Sequence, residues 1–352
     1  MSKITRIQKI LPMRTAALIE CPLNRRYLTG FASSYGSLLV TRNAAVLLTD
    51  SRYIEAAQAA VTCCTVEEAK SGRLRALCKS HGVKKLWLES SATLERVQQL
   101  RSALPGVYIA PQAAVLDVTL RQMREVKSHD EVEKIRAAQG IAEAAFAQVL
   151  PTIAMGMTER DVALALDFAM LRSGAERVAF DTIVAAGVNG SKPHAVPGEY
   201  ALRRGDLITM DFGAVVDGWH SDMTRTVALG EPSAQAREIY DVVLAAQLAA
   251  LDAIKAGIAC KDVDAAARDV IKAAGYGEQF RHGTGHGVGL AVHEEPRLSE
   301  KSSDVLRSGM VVTVEPGVYL PGVCGVRIED LVVVTEDGCV NLTGVEKRLT
   351  VV

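Results

Sequence analysis

Five residues in the second half of the chain have the types and surroundings of a metal site: Asp211, Asp222, His286, Glu315 and Glu329. Carboxylates gathered at one place repel one another, and burial raises the cost of keeping them charged. If the fold brings these side chains together, the set calls for divalent metal, two ions rather than one. Two cations can clamp and deprotonate water near neutral pH and stabilise the oxyanion of a tetrahedral intermediate. Donors rich in carboxylate with one imidazole favour hard or borderline ions such as manganese, cobalt or zinc.

Local sequence supports the grouping. Asp217-Gly218 is a strong two-residue hairpin signal, because a type I′ turn needs positive φ at both central positions. Such a turn sets Val216 against Trp219, and counting back sets Gly213 against Asp222. Asp211 and Asp222 then become diagonal neighbours on one face. The segment RHGTGHGVGLAVHEEP (Arg281–Pro296) carries His282, His286 and His293 among four glycines, at 283, 285, 287 and 289. So little side-chain bulk is expected to let backbone approach a ligand closely. Glu315 in VVTVEPGVY and Glu329 in VRIEDLVVV lie in apolar, strand-like runs, where a carboxylate is costly unless paired or bound to metal. Arg327 shares a strand face with Glu329 and could orient a ligand carboxylate. His194 lies in a rigid loop between two prolines.

The elements that must position these residues are legible in outline. Residues 1 to about 120 read as alternating short strands and helices, with a hairpin over Leu38–Leu48, a helix over Ile54–Ala60, strands at Lys85–Leu88 and Val107–Ala110, and a helical stretch Ser91–Leu104 between them. Arg121–Ser128 reads as a charged connector. Ser128 with Glu131 is a capping box that opens a long helix to about Leu150, and Thr158 with Asp161 opens another to about Ser173. Strands follow at Leu207–Val216 and His220–Val227, helices at Ala234–Lys255 and Ala265–Ala274, then strands at Val311–Tyr319 and Val326–Val334. Helix, helix, strand pair occurs twice, which predicts two similar halves with a site between them. The expected domains are 1–122 and 123–352.

The composition is that of an ordinary globular protein of 352 residues, 49% hydrophobic and 23% charged, with a net charge of −1. A near-neutral chain has no electrostatic footprint for nucleic acid or anionic membrane. No apolar run approaches a membrane span, and the N-terminus lacks a signal-peptide pattern, so a cytoplasmic protein is expected. Seven cysteines, an odd number with no C-x-x-C, read as reduced thiols.

Taken together and in this order, MDFG, SDMTRT, HGTGHGVGL, VHEEP, VEPGVY and GVRIEDL resemble the pita-bread metallopeptidases, in the branch of the Xaa-Pro peptidases, prolidase and aminopeptidase P. NRRYLTGF and LLTDSRY are similar to the N-terminal domain of that branch, so the resemblance covers most of the chain. It implies an α+β protein: a small α/β N-terminal domain followed by a pita-bread (creatinase/aminopeptidase-type) catalytic domain with pseudo-two-fold halves. It implies metal ligation by Asp211, Asp222, His286, Glu315 and Glu329, with Glu315 also the general base. His194 and His293 would stabilise the tetrahedral intermediate, and His282 would line a proline pocket. Arg327 would lie on the substrate side and be oriented on Asp211. Arg297 matches an arginine that in some prolidases meets the dipeptide carboxylate, which tips the expectation slightly toward a dipeptidase over an aminopeptidase for longer peptides. The expected substrate is a small peptide with proline second, and homodimers are usual among such proteins. Ala291 stands where an acidic residue often sits, and His220 and Val215-Val216 also depart from the family pattern, but none is a ligand position. A methionine aminopeptidase-like enzyme, a metal-free creatinase-like hydrolase and a non-enzymatic pita-bread binding protein are the competing readings, and the full ligand set disfavours the last two.

Overall fold

The hairpin and helix signals of the first third assemble around one mixed sheet. The computed structural model describes residues 2–352; Met1, where the expected first domain begins, lies outside the described residues. The chain divides into two compact units, one ending at Arg124 and one spanning Glu125–Val352.

The first unit runs α1 (Lys3–Ile10), β1 (Thr15–Ile19), α2 (Pro22–Thr29), β2 (Ser37–Val40), β3 (Ala45–Thr49), α3 (Ile54–Ala60), β4 (Thr65–Glu68), α4 (Arg73–Ser80), β5 (Lys85–Leu88), α5 (Leu94–Ala103), β6 (Tyr108–Ala110) and α6 (Ala114–Glu125). The sheet order is β4-β3-β2-β1-β5-β6. The hairpin expected over Leu38–Leu48 is β2–β3, with Val40 opposite Ala45. The expected connector is corrected in its first half: Arg121–Glu125 are the last turns of α6. Leu116, Leu120 and Met123 form a buried stripe at i, i+4 and i+7. Its charged outer face is what resembled a loop.

The second unit opens with α7 (His129–Val149) and α8 (Glu159–Arg172). Both capping boxes form: Ser128 and Glu131 exchange hydrogen bonds at one helix start, Thr158 and Asp161 at the other. Then come β7 (Arg177–Val178), β8 (Ile183–Ala186), β9 (Leu207–Phe212), β10 (Ala214–Val216), β11 (Trp219–His220) and β12 (Met223–Ala228). The second half repeats the order with α9 (Ala234–Ala253) and α10 (Cys260–Ala273), then β13 (Gly285–Gly287), β14 (Glu294–Leu298), β15 (Val311–Val314), β16 (Gly317–Leu320), β17 (Cys324–Arg327), β18 (Asp330–Val334) and β19 (Cys339–Asn341). Helix α10 begins five residues before the expected Ala265, because Ala259 at its cap makes no side-chain hydrogen bond and so gives no start signal. Ile239, Val243, Ala246 and Ala250 of α9 pack with Val263, Ala267 and Ile271 of α10 beneath Val312, Val314 and Val332 of the sheet. Fully burying one such Ile or Val is worth about 1.5–3 kcal/mol, and this layer backs the strands that carry the acids.

Candidate metal centre

Two hairpins deliver four of the five expected ligands. In the first, Asp217 (φ 49°) and Gly218 (φ 78°) both take positive φ, as a type I′ turn requires. Val216 lies opposite Trp219 and Val215 opposite His220. Beyond the break at Gly213, Phe212 lies opposite Met223 and Asp211 opposite Thr224. The register is unchanged across the break, so Gly213 falls across from Asp222, as the turn predicts. The second hairpin behaves alike. Val314 lies opposite Asp330 and, past the break, Gly317 opposite Arg327. Glu315 therefore falls across from Glu329.

At both breaks the strand pair leaves one sheet for another. Strands β9 and β12 belong with β8, while β10 and β11 belong with β7; β15 and β18 lie in a five-stranded sheet, while β16 and β17 pair only with each other. The acids thus sit at or beside points where the backbone ladder is interrupted. A side chain there can face inward from the joint between sheets.

His286 enters from β13, its backbone N–H donating to Thr313 Oγ1 at 3.0 Å. Its Nδ1 lies 3.1 Å from the carbonyl oxygen of Gly287. A carbonyl only accepts, so Nδ1 carries the proton and Nε2 presents its lone pair. Nε2 faces Glu315 Oε1 at 3.2 Å and Asp222 Oδ2 at 3.6 Å. Asp222, His286 and Glu329 each place a donor atom within 4.8 Å of the other two. Asp211 Oδ1 is buried with no hydrogen-bond partner. Converging acceptors and an orphaned carboxylate oxygen are what a divalent cation would satisfy, so the residues fit the group.

In the bare chain, protons take the place of that charge. Burial holds Asp222 well above the usual carboxylate range, and the charges of Glu329, Asp211 and Glu315 add to it. Burial, then Glu315 and Asp211, does the same to Glu329. Burial also raises Asp211, against the pull of Arg327. Glu315 goes the other way: burial opposes it, but the contact with His286 and the charges of its neighbours, Arg327 among them, bring it down to about 2.

The acids are held by neighbours. Arg327 is buried; its Nη2 donates to Asp211 Oδ2 at 2.7 Å, its Nε to Thr224 Oγ1 at 3.0 Å and its Nη1 to Tyr319 Oη at 2.9 Å. These contacts tie Arg327 to Asp211, Thr224 and Tyr319, and it also lines the cavity described below. Thr224 passes the contact on, donating to Glu329 Oε2 at 2.7 Å. Thr313 donates to Glu315 Oε1 at 3.1 Å. Tyr319 lies 2.9 Å from His282 Nε2, and His282 Nδ1 lies 2.8 Å from the Gly283 carbonyl oxygen. That carbonyl puts the proton on Nδ1, so the Tyr319 hydroxyl donates to Nε2. The sequence reading assigned nothing to Thr224, Thr313 and Tyr319. A signal existed for the two threonines, since each stands two positions from a ligand along its strand and so shares its face.

Two glycines of the histidine segment have a packing role as well. A methyl group at Gly285 would overlap the carbonyl oxygen of Thr313, and one at Gly287 that of Glu295. Both admit neighbouring backbone, and Gly283 and Gly285 also line the cavity.

All ten residues singled out from the sequence line one cavity of about 580 Å³, together with Phe180, Ile183, Val292 and others. Ring centroids of His286 and His293 are 4.4 Å apart. His194, His293 and Arg297 are exposed at this cavity. Arg297 stands opposite His286 in the β13–β14 register and forms no ion pair among the described residues.

A bilobal repeat with an acid cluster at its strand breaks defines a metallohydrolase. Residues 133–336 match the metallopeptidase family M24, and residues 7–126 match the creatinase/prolidase N-terminal domain. The chain belongs to that metallopeptidase family and has its pita-bread fold. It is 41% identical over 268 residues to a Xaa-Pro dipeptidase of Pyrococcus horikoshii, covering 76% of this chain and 75% of the relative. The structure of a Xaa-Pro dipeptidase from Bacillus anthracis superposes with a TM-score of 0.95 at 37% identity, over 99% of both chains. That of an X-Pro aminopeptidase from Thermotoga maritima gives 0.92 at 38%, over 99% of this chain and 100% of that one.

Proposed function

We propose that the chain is a metal-dependent exopeptidase that hydrolyses the bond between a residue and a following proline, acting on Xaa-Pro dipeptides. The observation that carries the chemistry is the convergence of four acids, Asp222 and Glu329 buried and Asp211 and Glu315 half-buried, and the proton-free nitrogen of His286 on one cavity wall. Asp211, Asp222, His286, Glu315 and Glu329 would hold two divalent ions, manganese first and cobalt or zinc as alternatives. When bound, such ions polarise the scissile carbonyl and lower the pKa of water.

The remaining work falls to the chain. Glu315 accepts the proton of the attacking water. His293 and His194, at the open side of the cavity, contact the carbonyl oxygen as charge develops on it. His282, locked by Tyr319, lines the place for the proline ring. Arg327 keeps Asp211 aimed. An Xaa-Pro bond is a tertiary amide with no N–H, so recognition that leaves that donor unused suits this substrate. The choice of dipeptide rests on Arg297, an unpaired guanidinium beside the cluster that can take a carboxylate in a bidentate grip. The likeness to the Thermotoga aminopeptidase favours a second reading, activity on longer peptides. Comparing Xaa-Pro dipeptides with Xaa-Pro-Yaa tripeptides, with and without Mn²⁺, separates them. Preference for dipeptides that Arg297→Ala abolishes supports the proposal; equal or faster tripeptide cleavage overturns it. We further propose a cytoplasmic homodimer; among the described residues no helix is long and apolar enough to cross a membrane.

A further inference from the structure

The backbone from Phe280 to Thr284 lies outside the strands, yet it carries His282 and leads into β13. Backbone groups of this stretch bond instead to two side chains of α10. Arg268 Nη1 donates to the carbonyl oxygen of Phe280 at 3.0 Å, and its Nη2 to that of His282 at 2.9 Å. Asp264 Oδ1 accepts the N–H of Thr284 at 2.9 Å and its hydroxyl at 2.8 Å. One helical turn apart, the pair is joined by Arg268 Nε to Asp264 Oδ2 at 2.8 Å and Nη2 to Oδ1 at 3.1 Å. Asp264 is wholly buried, and Arg268 keeps 18% of its side chain exposed.

The rings continue the arrangement. The Arg268 guanidinium lies 4.3 Å from the centroid of the Phe280 ring, within the reach of a cation–π contact. That ring meets the His282 ring edge to face, with centroids 5.1 Å apart and planes at 89°. The Tyr319 hydroxyl holds the same imidazole at Nε2, 2.9 Å away. Arg268 and Phe280 are not among the residues that line the cavity, whereas His282 is. We propose that Arg268 is a positioning residue for the proline pocket. Stacked on Phe280 and forked onto two carbonyl oxygens, it fixes His282 where the proline ring docks. The inference rests on the peptidase reading, in which His282 faces that ring.

Only a planar guanidinium can face a ring while its fork reaches a carboxylate and two carbonyls; a lysine ammonium is a point charge. Arg268→Lys therefore keeps a cation beside buried Asp264 and releases the His282 backbone. Phe280→Leu keeps an apolar side chain in the core and removes the ring between Arg268 and His282. Asp264 is left intact, because it acts through Thr284, whose carbonyl oxygen accepts the N–H of Glu315 at 2.7 Å. A change there would reach the metal ligands.

The test uses the full chain loaded with Mn²⁺. It measures kcat and KM for an Xaa-Pro dipeptide, the inhibition constant of free L-proline, and Mn²⁺ affinity by titration of the stripped protein. Both variants should raise KM and the proline constant about tenfold, since a small misplacement transmitted from outside the site is costly. Because the lost interaction is one of binding, kcat should stay within about twofold of wild type, and Mn²⁺ affinity should not change. Unaltered KM and proline inhibition in both variants would overturn the role of Arg268. So would a joint fall of kcat, substrate binding and Mn²⁺ affinity, which a merely structural residue would give. Wild-type protein that releases no proline would refute the peptidase reading itself, and this inference with it, before any variant is compared.

Discussion

The acids of the site and the hydroxyls that hold them set its behaviour at the scale of single residues. Thr224 touches both Glu329 and Arg327, so Thr224→Val should weaken metal binding about 10–100-fold. Titration of the metal-stripped protein would show this, with the fold intact by circular dichroism. Asp222, Glu329 and Asp211 keep raised pKa values in the bare chain. A carboxylate that binds its proton more tightly folded than unfolded contributes stability below about pH 4, its unfolded value, and loses it as pH rises through the folded value. The metal-stripped protein should therefore melt at lower temperature at pH 7 than at pH 5.5, and divalent metal should remove that trend. A flat melting profile without metal would count against the cluster. The ligands were legible because each sits in a distinctive motif. Their supports were less so, because Thr224 meets Glu329 across 105 positions of sequence, and no local pattern reports such a contact.

Among the elements, the two hairpins carry the site, and the turn of the first fixes its register. Gly218 has φ 78°, a region that a β-branched residue enters at a cost of about 1–3 kcal/mol. Gly218→Val should lower the thermal midpoint by several degrees, at about 2–4 °C per kcal/mol for a domain of this size. Calorimetry on the metal-loaded protein would measure it. Arg225 links the hairpins: it is almost wholly buried, paired with Asp330 at 2.8 Å, and it donates to the carbonyl oxygens of Thr224, Glu329 and Val345. Removing one partner of a buried pair costs about 3–5 kcal/mol, so Arg225→Met should destabilise by that order in urea unfolding. The Asp217-Gly218 turn was readable because its φ requirement is nearly unique to such residues. The strand breaks were not, since Leu207–Val216 and Val326–Val334 are apolar throughout and periodicity cannot say where one sheet hands a strand to another.

For the whole molecule, the sequence showed the repeated helix, helix, strand-pair order, and the structure turns that order into two hairpins meeting over one cavity. Helix α6 and the start of α10 escaped notice because one wears a charged face and the other lacks a capping side chain. The account stands or falls on whether the cluster is a metal-dependent centre for Xaa-Pro bonds. The most direct measurement is proline release from an Xaa-Pro dipeptide by metal-stripped protein titrated with Mn²⁺, beside Asp211→Asn. The account predicts no turnover without metal, full turnover once two ions per chain are bound, and none at any metal concentration for the variant. Turnover by the stripped protein, or undiminished turnover by Asp211→Asn, would contradict it.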